Sequence, residues 1–286
     1  MPTASSTPPA GLVRLGGTPS VPDYLRQLWS RRQFAQENAV SELRAQHMDT
    51  ALGHAWHLLN PILLTAIYYL VFDVILDATR GLENFIAFLA IGVLTYHWMQ
   101  KAVTGGANTI VGNEGLIRSL QFPRALLPIS TVLQQTLAFL PGVVVMAIIA
   151  LSTGEGIRPD WVLIVPAFVL QLLFVLGVSF MAARAADAFR DTLNLLPFLF
   201  RLVFYGSGVL YAVDDRFPIF EIWWVELIFI LNPFYCLISL WRHALMTSYQ
   251  VPHIEWLWLS AAVWTVIALV VGFLVFRAGE KGYGRG

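Results

Sequence analysis

Six apolar runs, roughly residues 58–76, 84–103, 125–151, 161–183, 195–213 and 256–276, recur along the chain with short polar stretches between them. Each holds about 20 residues or more, enough helix to cross ~30 Å of hydrocarbon at ~1.5 Å per residue. The pattern therefore predicts an all-α integral membrane protein with six transmembrane helices. Residues 23–50 follow a different rule: Leu25, Leu28, Trp29, Ala39, Val40 and Leu43 fall in one stripe at 100° per residue. With Asp23 as a plausible N-cap, and with Trp29, Arg31, Arg32 and Arg44 on or beside the stripe, this segment predicts an amphipathic helix in the plane of the membrane interface. An ordinary soluble helix has little soluble core to pack against here. Residues 1–22 are rich in Pro, Ser, Thr and Gly and lack the apolar core of a cleavable signal, which predicts a disordered cytoplasmic tail. The remainder, 51–286, holds all six apolar runs.

Two interruptions of the pattern carry the most information. Between the second and third runs lies the polar island 101–128, in which residues 111–122 can form about three helical turns. Leu116, Ile117 and Leu120 cluster on one side of that short helix, and Arg118 and Arg124 flank it on what is then the cytoplasmic side. Such a helix either docks a soluble partner or rests on lipid headgroups. The second interruption is 214–255, with two apolar stretches of about 14 residues separated by Asn232 and Pro233. Each is too short to cross, and Glu221 and Glu226 burden the first, so a pair of re-entrant or interfacial helices is expected. Trp223, Trp224, Tyr235 and Trp241 would then sit at the outer boundary, where aromatic residues collect.

Composition agrees with the pattern: 57% of residues are hydrophobic and 13% charged, against about 25% charged in soluble domains. Six spans place both termini on one face. If that face is cytoplasmic, Arg80, Arg158, Arg216 and Arg242 are the basic residues left outside, so most of the 18 lysines and arginines obey the positive-inside rule. The formal net charge of zero gives no field for nucleic acid. A lone cysteine, Cys236, excludes an intrachain disulfide and a thiolate metal cluster. His54 and His57 form a helix-compatible pair with no third ligand at metal-binding spacing, Asp214 and Asp215 sit in turn-rich sequence, and no phosphate-binding loop for ATP occurs. Neither catalytic residues nor a metal site are expected. Within the spans, Gln134 and Gln135, with Tyr205 and Tyr211 further on, are candidates to face a path or neighbouring helices. Arg201 either snorkels to the inner interface or binds an anionic headgroup.

The run from 51 to 72, with Leu52, Gly53, Trp56 and Pro61 in an LG-x-x-W-x-x-x-x-P pattern, resembles the start of the first span in type-2 ABC exporter permeases for polysaccharides and teichoic acids. The stretch 90–130 is similar to that family's second span and coupling helix, with Asn113 and Leu116, followed by an FPR-x-x-x-P exit at Phe122, Pro123, Arg124 and Pro128. Residues 232–245 resemble the family's NP segment, ending near Arg242. His54 and His57 depart from it, because relatives carry apolar or small residues there. The resemblance covers about 25–277 and implies a non-catalytic half-transporter that homodimerises and binds two copies of a cytoplasmic ATPase. ATP and magnesium would be held by that partner, and none by this chain. It implies ATPase coupling through Asn113, Glu114, Leu116, Ile117, Arg118, Leu120, Phe122 and Arg124, together with the interface helix. The cargo implied is a polyprenyl-diphosphate-linked polysaccharide crossing the plasma membrane, its diphosphate attracted by Arg184, Arg190 and Arg201, with the actinobacterial cell-wall galactan branch the nearest in pattern. The outer gate would be formed by 214–255, including Trp223, Trp224, Phe234 and Tyr235. A membrane-embedded transferase acting on a lipid-linked glycan is the alternative, and a structural subunit of a cell-wall complex a third reading. A transferase needs a nucleophile, base or metal pair at a membrane edge, for which the chain offers only the weak pairs named above.

Overall fold

A computed structural model describes residues 20–46, 52–76, 82–213 and 223–283. Helix makes up 81% of the structure and no strand occurs among the described residues, as expected where lipid leaves backbone groups no other partner. Two short helices, α1 (Val21–Ser30) and α2 (Arg32–Ala45), lead through a 3-10 turn at Gly53–Ala55 into α3 (Trp56–Tyr69). Helix α3 widens into a π-helical end at Leu70–Ile75. Next come α4 (Phe85–Ala107), the short α5 (Thr109–Gly112) and α6 (Glu114–Ser119), and α7 (Leu126–Ser152). A 3-10 turn at Pro159–Leu163 starts α8 (Ile164–Ala188), and α9 (Thr192–Gly206) follows. The described chain closes with α10 (Trp223–Ile230), α11 (Pro233–Leu245) and α12 (Ile254–Gly279).

All six apolar runs are helices. Four helical stretches are long and apolar enough to cross a membrane: Trp56–Ile75, Leu126–Ser152, Pro159–Ala188 and Ile254–Gly279. Helix α4 has 23 residues, but its second half carries Tyr96, His97, Gln100 and Lys101, and the apolar α9 has only 15 residues because the chain leaves the helix after Gly206. The expected single helix over 23–50 is two helices that meet at Arg31, whose φ of −103° and ψ of 17° break the register. It is capped by Ser20, whose hydroxyl accepts from the Asp23 amide at 3.3 Å. Most of the expected tail over 1–22 lies outside the described residues, and residues 21 and 22 already belong to α1. The expected helix over 111–122 is likewise divided, at Asn113. Gly53 of the LG pair has φ of +49°, a left-handed turn that a side chain would strain, and this turn sends the chain from α2 into α3.

Helix α4 is the central post, with Phe88, Leu89, Ile91 and Val93 fully buried. Helices α8 and α12 touch backbone to backbone: a Cβ on Gly272 would lie 2.1 Å from the Gly177 carbonyl oxygen, and Ala268 packs against Gly177 in the same way. Small residues make this approach possible, and in lipid close van der Waals packing replaces the hydrophobic driving force. Across the middle, the Trp98 ring is stacked between Phe139 and Phe168 at centroid distances of 4.5 and 5.2 Å. The Trp241 indole donates to Gln171 Oε1 at 2.5 Å, and Gln171 donates to the Thr95 carbonyl at 3.2 Å.

At the end of the bundle away from α5 and α6, two charged side chains are buried. Arg242 is 1% exposed. Its guanidinium donates to the carbonyls of Gly208 and Val209, both at 2.8 Å, and lies 3.3 Å over the Phe88 ring. It fastens α11 to the loop after α9 and to α4. Glu155, 2% exposed, follows α7 and accepts from Asn84 at 2.8 Å, from the Thr247 hydroxyl at 2.6 Å and from the Ser248 amide at 3.1 Å. It joins the start of α4, the end of α7 and the chain after α11. Burial alone raises the Glu155 carboxyl, but the hydrogen bonds of Ser248 and Thr247 outweigh it and hold its pKa at about 2.

Because the folded carboxyl titrates below its unfolded value, its stabilisation is full above the ordinary carboxylate range and is lost as pH falls towards 2. Thermal unfolding of the purified protein in detergent between about pH 3 and 7 should show a Glu155→Gln variant less stable at neutrality, with the difference shrinking on acidification. An offset that stays constant across this range would remove Glu155 as its source.

Candidate functional site

The connection from α4 to α7 leaves the bundle and returns, and what holds it is a clasp made by both ends of the described chain. Tyr24 of α1, 2% exposed, donates its hydroxyl to Glu280 Oε1 at 2.9 Å and accepts the Ala125 amide at 3.3 Å. The same Glu280 oxygen accepts the Arg124 amide at 2.9 Å, and the Arg124 guanidinium donates to the Glu280 backbone carbonyl. Burial, then the Glu280 charge, pushes the Tyr24 phenol well above its usual range, which keeps it a donor. Beneath the clasp, Ile110, Ile117, Leu127, Phe180, Phe276 and Tyr283 form a small apolar core. Tyr283 packs on Phe276 at 5.0 Å, and its phenol too is raised, chiefly by burial.

This core decides which residues of α6 are available to another molecule. Ile117 is 5% exposed and points into it, and Leu116 and Phe122 are half-buried against it, so the expected apolar docking face of Leu116, Ile117 and Leu120 is turned mostly inwards. Leu120 is 54% exposed, and the Arg118 side chain 53%. Together with Gly115 and Ser119 they form the outward face. Glu114 accepts from Arg118 at 3.4 Å and from Arg190 at 2.7 Å, linking α6 to the α8–α9 turn, although exposed pairs of this kind contribute only ~0–1 kcal/mol. Asn113, where α5 and α6 divide, donates to the Thr109 carbonyl at 2.9 Å. Arg31 reaches across to the Gln121 carbonyl at 2.8 Å, so the joint between α1 and α2 braces the exit from α6.

The remaining sequence-selected residues are scattered. Trp29 is 71% exposed with the Arg32 guanidinium 5.0 Å over its ring, and Arg44 is exposed at the end of α2. Arg184 pairs with Asp187 at 2.8 Å and lies over Tyr283, whereas Arg201 stands on the exposed side of α9, so the three arginines have separate surroundings. Gln134 is buried and its neighbour Gln135 half-buried. Tyr205 is 58% exposed and its carbonyl accepts from the Tyr211 hydroxyl at 2.8 Å. Asn232 caps α11, accepting from the Phe234 amide at 3.0 Å. Tyr235 and Trp241, expected at an outer aromatic boundary, are instead buried, with 3% and 0% exposure, because α11 runs inside the bundle against α4 and α12. Phe234 is half-buried against Tyr96, Phe174 and Phe200. Residues 214–222 of the expected outer gate lie outside the described residues, as does Asp214–Asp215; Trp223 and Trp224 begin α10.

Sequence reading passed over Tyr24, Glu280 and Tyr283. A signal for the first existed: Tyr24, Leu28, Ala35 and Ala39 recur at helical spacing, and this is the face that packs, but the larger Leu25 and Trp29 beside it set the apparent stripe. Tyr24→Phe keeps the ring and removes two hydrogen bonds, one of them to a carboxylate, at a cost of about 1–3 kcal/mol. Hydrogen exchange should then accelerate in α1 and around 280–283 while the α8–α12 contact stays protected; unchanged exchange in both ends would show that the clasp does not hold them.

Comparison with known proteins joins this geometry to a family. The ABC-2 type transporter family model matches residues 36–246, from α2 to the end of α11. An O-antigen export system permease protein RfbA from Myxococcus xanthus is 29% identical over 262 residues, covering 90% of this chain and 96% of that protein. A protein of the same description from Klebsiella pneumoniae is 27% identical over 84% of this chain and 91% of its own length. The polysialic acid transport protein KpsM of Escherichia coli is 22% identical over 85% and 92%. With a family match across most of its length, this chain belongs to the ABC-2 type transporter family, as a non-catalytic transmembrane transport subunit.

Proposed function

We propose that this chain is the permease half of an ATP-driven exporter of a lipid-linked polysaccharide, working with a separate cytoplasmic ATPase. The observation that carries the proposal is the outward face of α6, with Gly115, Arg118, Ser119 and Leu120, held rigidly by the Tyr24, Glu280 and Arg124 clasp. A face that must transmit a push needs such a foundation, since a loose loop would absorb it. Relatives described as exporting O-antigen and transporting polysialic acid support a polysaccharide cargo.

In this reading all six apolar helices cross the plasma membrane, both termini and α6 are cytoplasmic, and α1 and α2 lie at the inner interface. The middle of the bundle is filled by the Trp98, Phe139 and Phe168 stack and by Trp241, which supports a path between two copies of the chain over one through a single copy. Helices α3 and α9 carry exposed apolar residues, among them Ile67, Phe198 and Leu202, and suit such a dimer seam. Arg201 and Tyr205 on the exposed side of α9 would meet the carrier diphosphate and the sugar chain, with Trp223 and Trp224 near the outer end. The cargo we propose to test first is a cell-wall galactan on a polyprenyl diphosphate.

Two substitutions separate docking from folding. Leu120→Asp should leave the protein folded but reduce co-purification of the ATPase and export, with lipid-linked polymer accumulating inside the cell. Ile117→Asp buries a charge beside Phe180 and Phe276 and should lower stability by several kcal/mol in the absence of any partner. Full export in Leu120→Asp cells would sink the docking face, and depletion of the protein without any accumulating lipid-linked glycan would sink the cargo.

A further inference from the structure

A cavity of about 420 Å³ lies between α3, α4 and α7, separate from the α6 face and from the exposed side of α9. One side of each helix lines it: His57 and Asn60 from α3, His97, Trp98 and Lys101 from α4, and Gln135 from α7. His97 and Lys101 are four residues apart, as His57 is from Pro61, so each set shares a helix face.

The lining is rich in donors and contains no carboxylate. Lys101 takes no part in the ion pairs found among the described residues, which join Arg118 and Arg190 to Glu114, Arg158 to Asp160, Arg184 to Asp187 and His253 to Glu226. Trp98 is 3% exposed, with both ring faces covered by Phe139 and Phe168, and its indole N–H has no protein acceptor among the described residues. His97 Nε2 is likewise buried without a protein partner. The cavity's volume is that of a small-ligand pocket. Gln46, just past the end of α2, and Trp56, at the start of α3, line the same cavity. It therefore opens where the interface helix meets the first span, at headgroup level under the orientation proposed above.

We propose that this cavity binds the phosphate of a membrane-lipid headgroup, with Lys101 supplying the charge and the Asn60 and Gln135 amides supplying hydrogen bonds. Two lipids carry that chemistry: a resident anionic phospholipid and the diphosphate carrier.

The test is lipid retention by the full-length protein, measured by native mass spectrometry after titration with phosphatidylglycerol against a phosphatidylcholine reference. The wild type should retain phosphatidylglycerol in preference, Lys101→Arg should keep that preference, and Lys101→Gln combined with Gln135→Leu should weaken it about tenfold or more. Competition with polyprenyl diphosphate separates the sources: displacement at lower concentration than phosphatidylglycerol assigns the carrier, and its failure assigns the resident lipid. Arg201→Gln should leave retention intact, which keeps this site distinct from the carrier contact proposed on α9. If the double variant does not fold, the wild type decides the matter, since phosphatidylglycerol must raise its melting temperature above the phosphatidylcholine value. Equal retention of both lipids by the wild type, or a preference lost in Arg201→Gln and kept in the Lys101 double variant, would overturn the proposal.

Discussion

Everything at the α6 end of the molecule depends on one carboxylate that serves three segments at once. Glu280 holds the Tyr24 hydroxyl and the Arg124 amide on the same oxygen, so the first helix, the exit from α6 and the end of α12 form one block. Such a group works because it is only partly buried: it retains some hydration, and charge-assisted hydrogen bonds to it exceed neutral ones in strength. Without the clasp, α5 and α6 are two short helices of four and six residues, far below the length at which an isolated helix is stable. Tertiary contact through Ile110 and Ile117 is what makes them helices at all.

The opposite end solves the same problem differently. There the connections are tied by buried ions, Arg242 on backbone carbonyls and Glu155 on amides and hydroxyls, each surrounded by enough opposite partial charge to offset its desolvation. Between the two ends, α4 is enclosed on nearly all sides, and α8 and α12 are locked by contact between glycine backbones. The bundle is thus rigid along its length, with its exposed apolar residues on α3, α7, α9 and α12 left for lipid or a second copy. In the function proposed above, rigidity matters because a displacement at α6 would reach the far end only through packed elements.

Much of this was legible in the chain. The six apolar runs gave six helices, the turn at Asn232 and Pro233 fell where expected, and the LG pair lies at a left-handed turn at Gly53. What was not legible depended on partners distant in sequence. Tyr24 and Glu280 are separated by 256 positions, and nothing local to either marks it as a hydrogen-bonding partner of the other. The inward turn of Ile117 could not be seen from α6 alone, since an amphipathic helix of two turns does not say whether its apolar side meets its own core or another protein. Tyr235 and Trp241 misled for a related reason. Aromatic residues near a polar turn suit a membrane boundary, but the α11 that carries them is amphipathic by neighbour, with α4 and α12 as its surroundings in place of lipid.

The proposed docking of the ATPase rests on a single surface, the outward side of α6. Disulfide or photochemical cross-linking from a cysteine introduced at Leu120 addresses it most directly, with a second cysteine at Thr247 as the opposite-end control; the native Cys236 is buried and does not interfere. In membranes containing the permease with its ATPase, the account predicts that Leu120→Cys cross-links to the ATPase and that Thr247→Cys reacts only with membrane-impermeant reagents from outside. A Thr247→Cys variant that cross-links to the ATPase while Leu120→Cys labels from outside would contradict it.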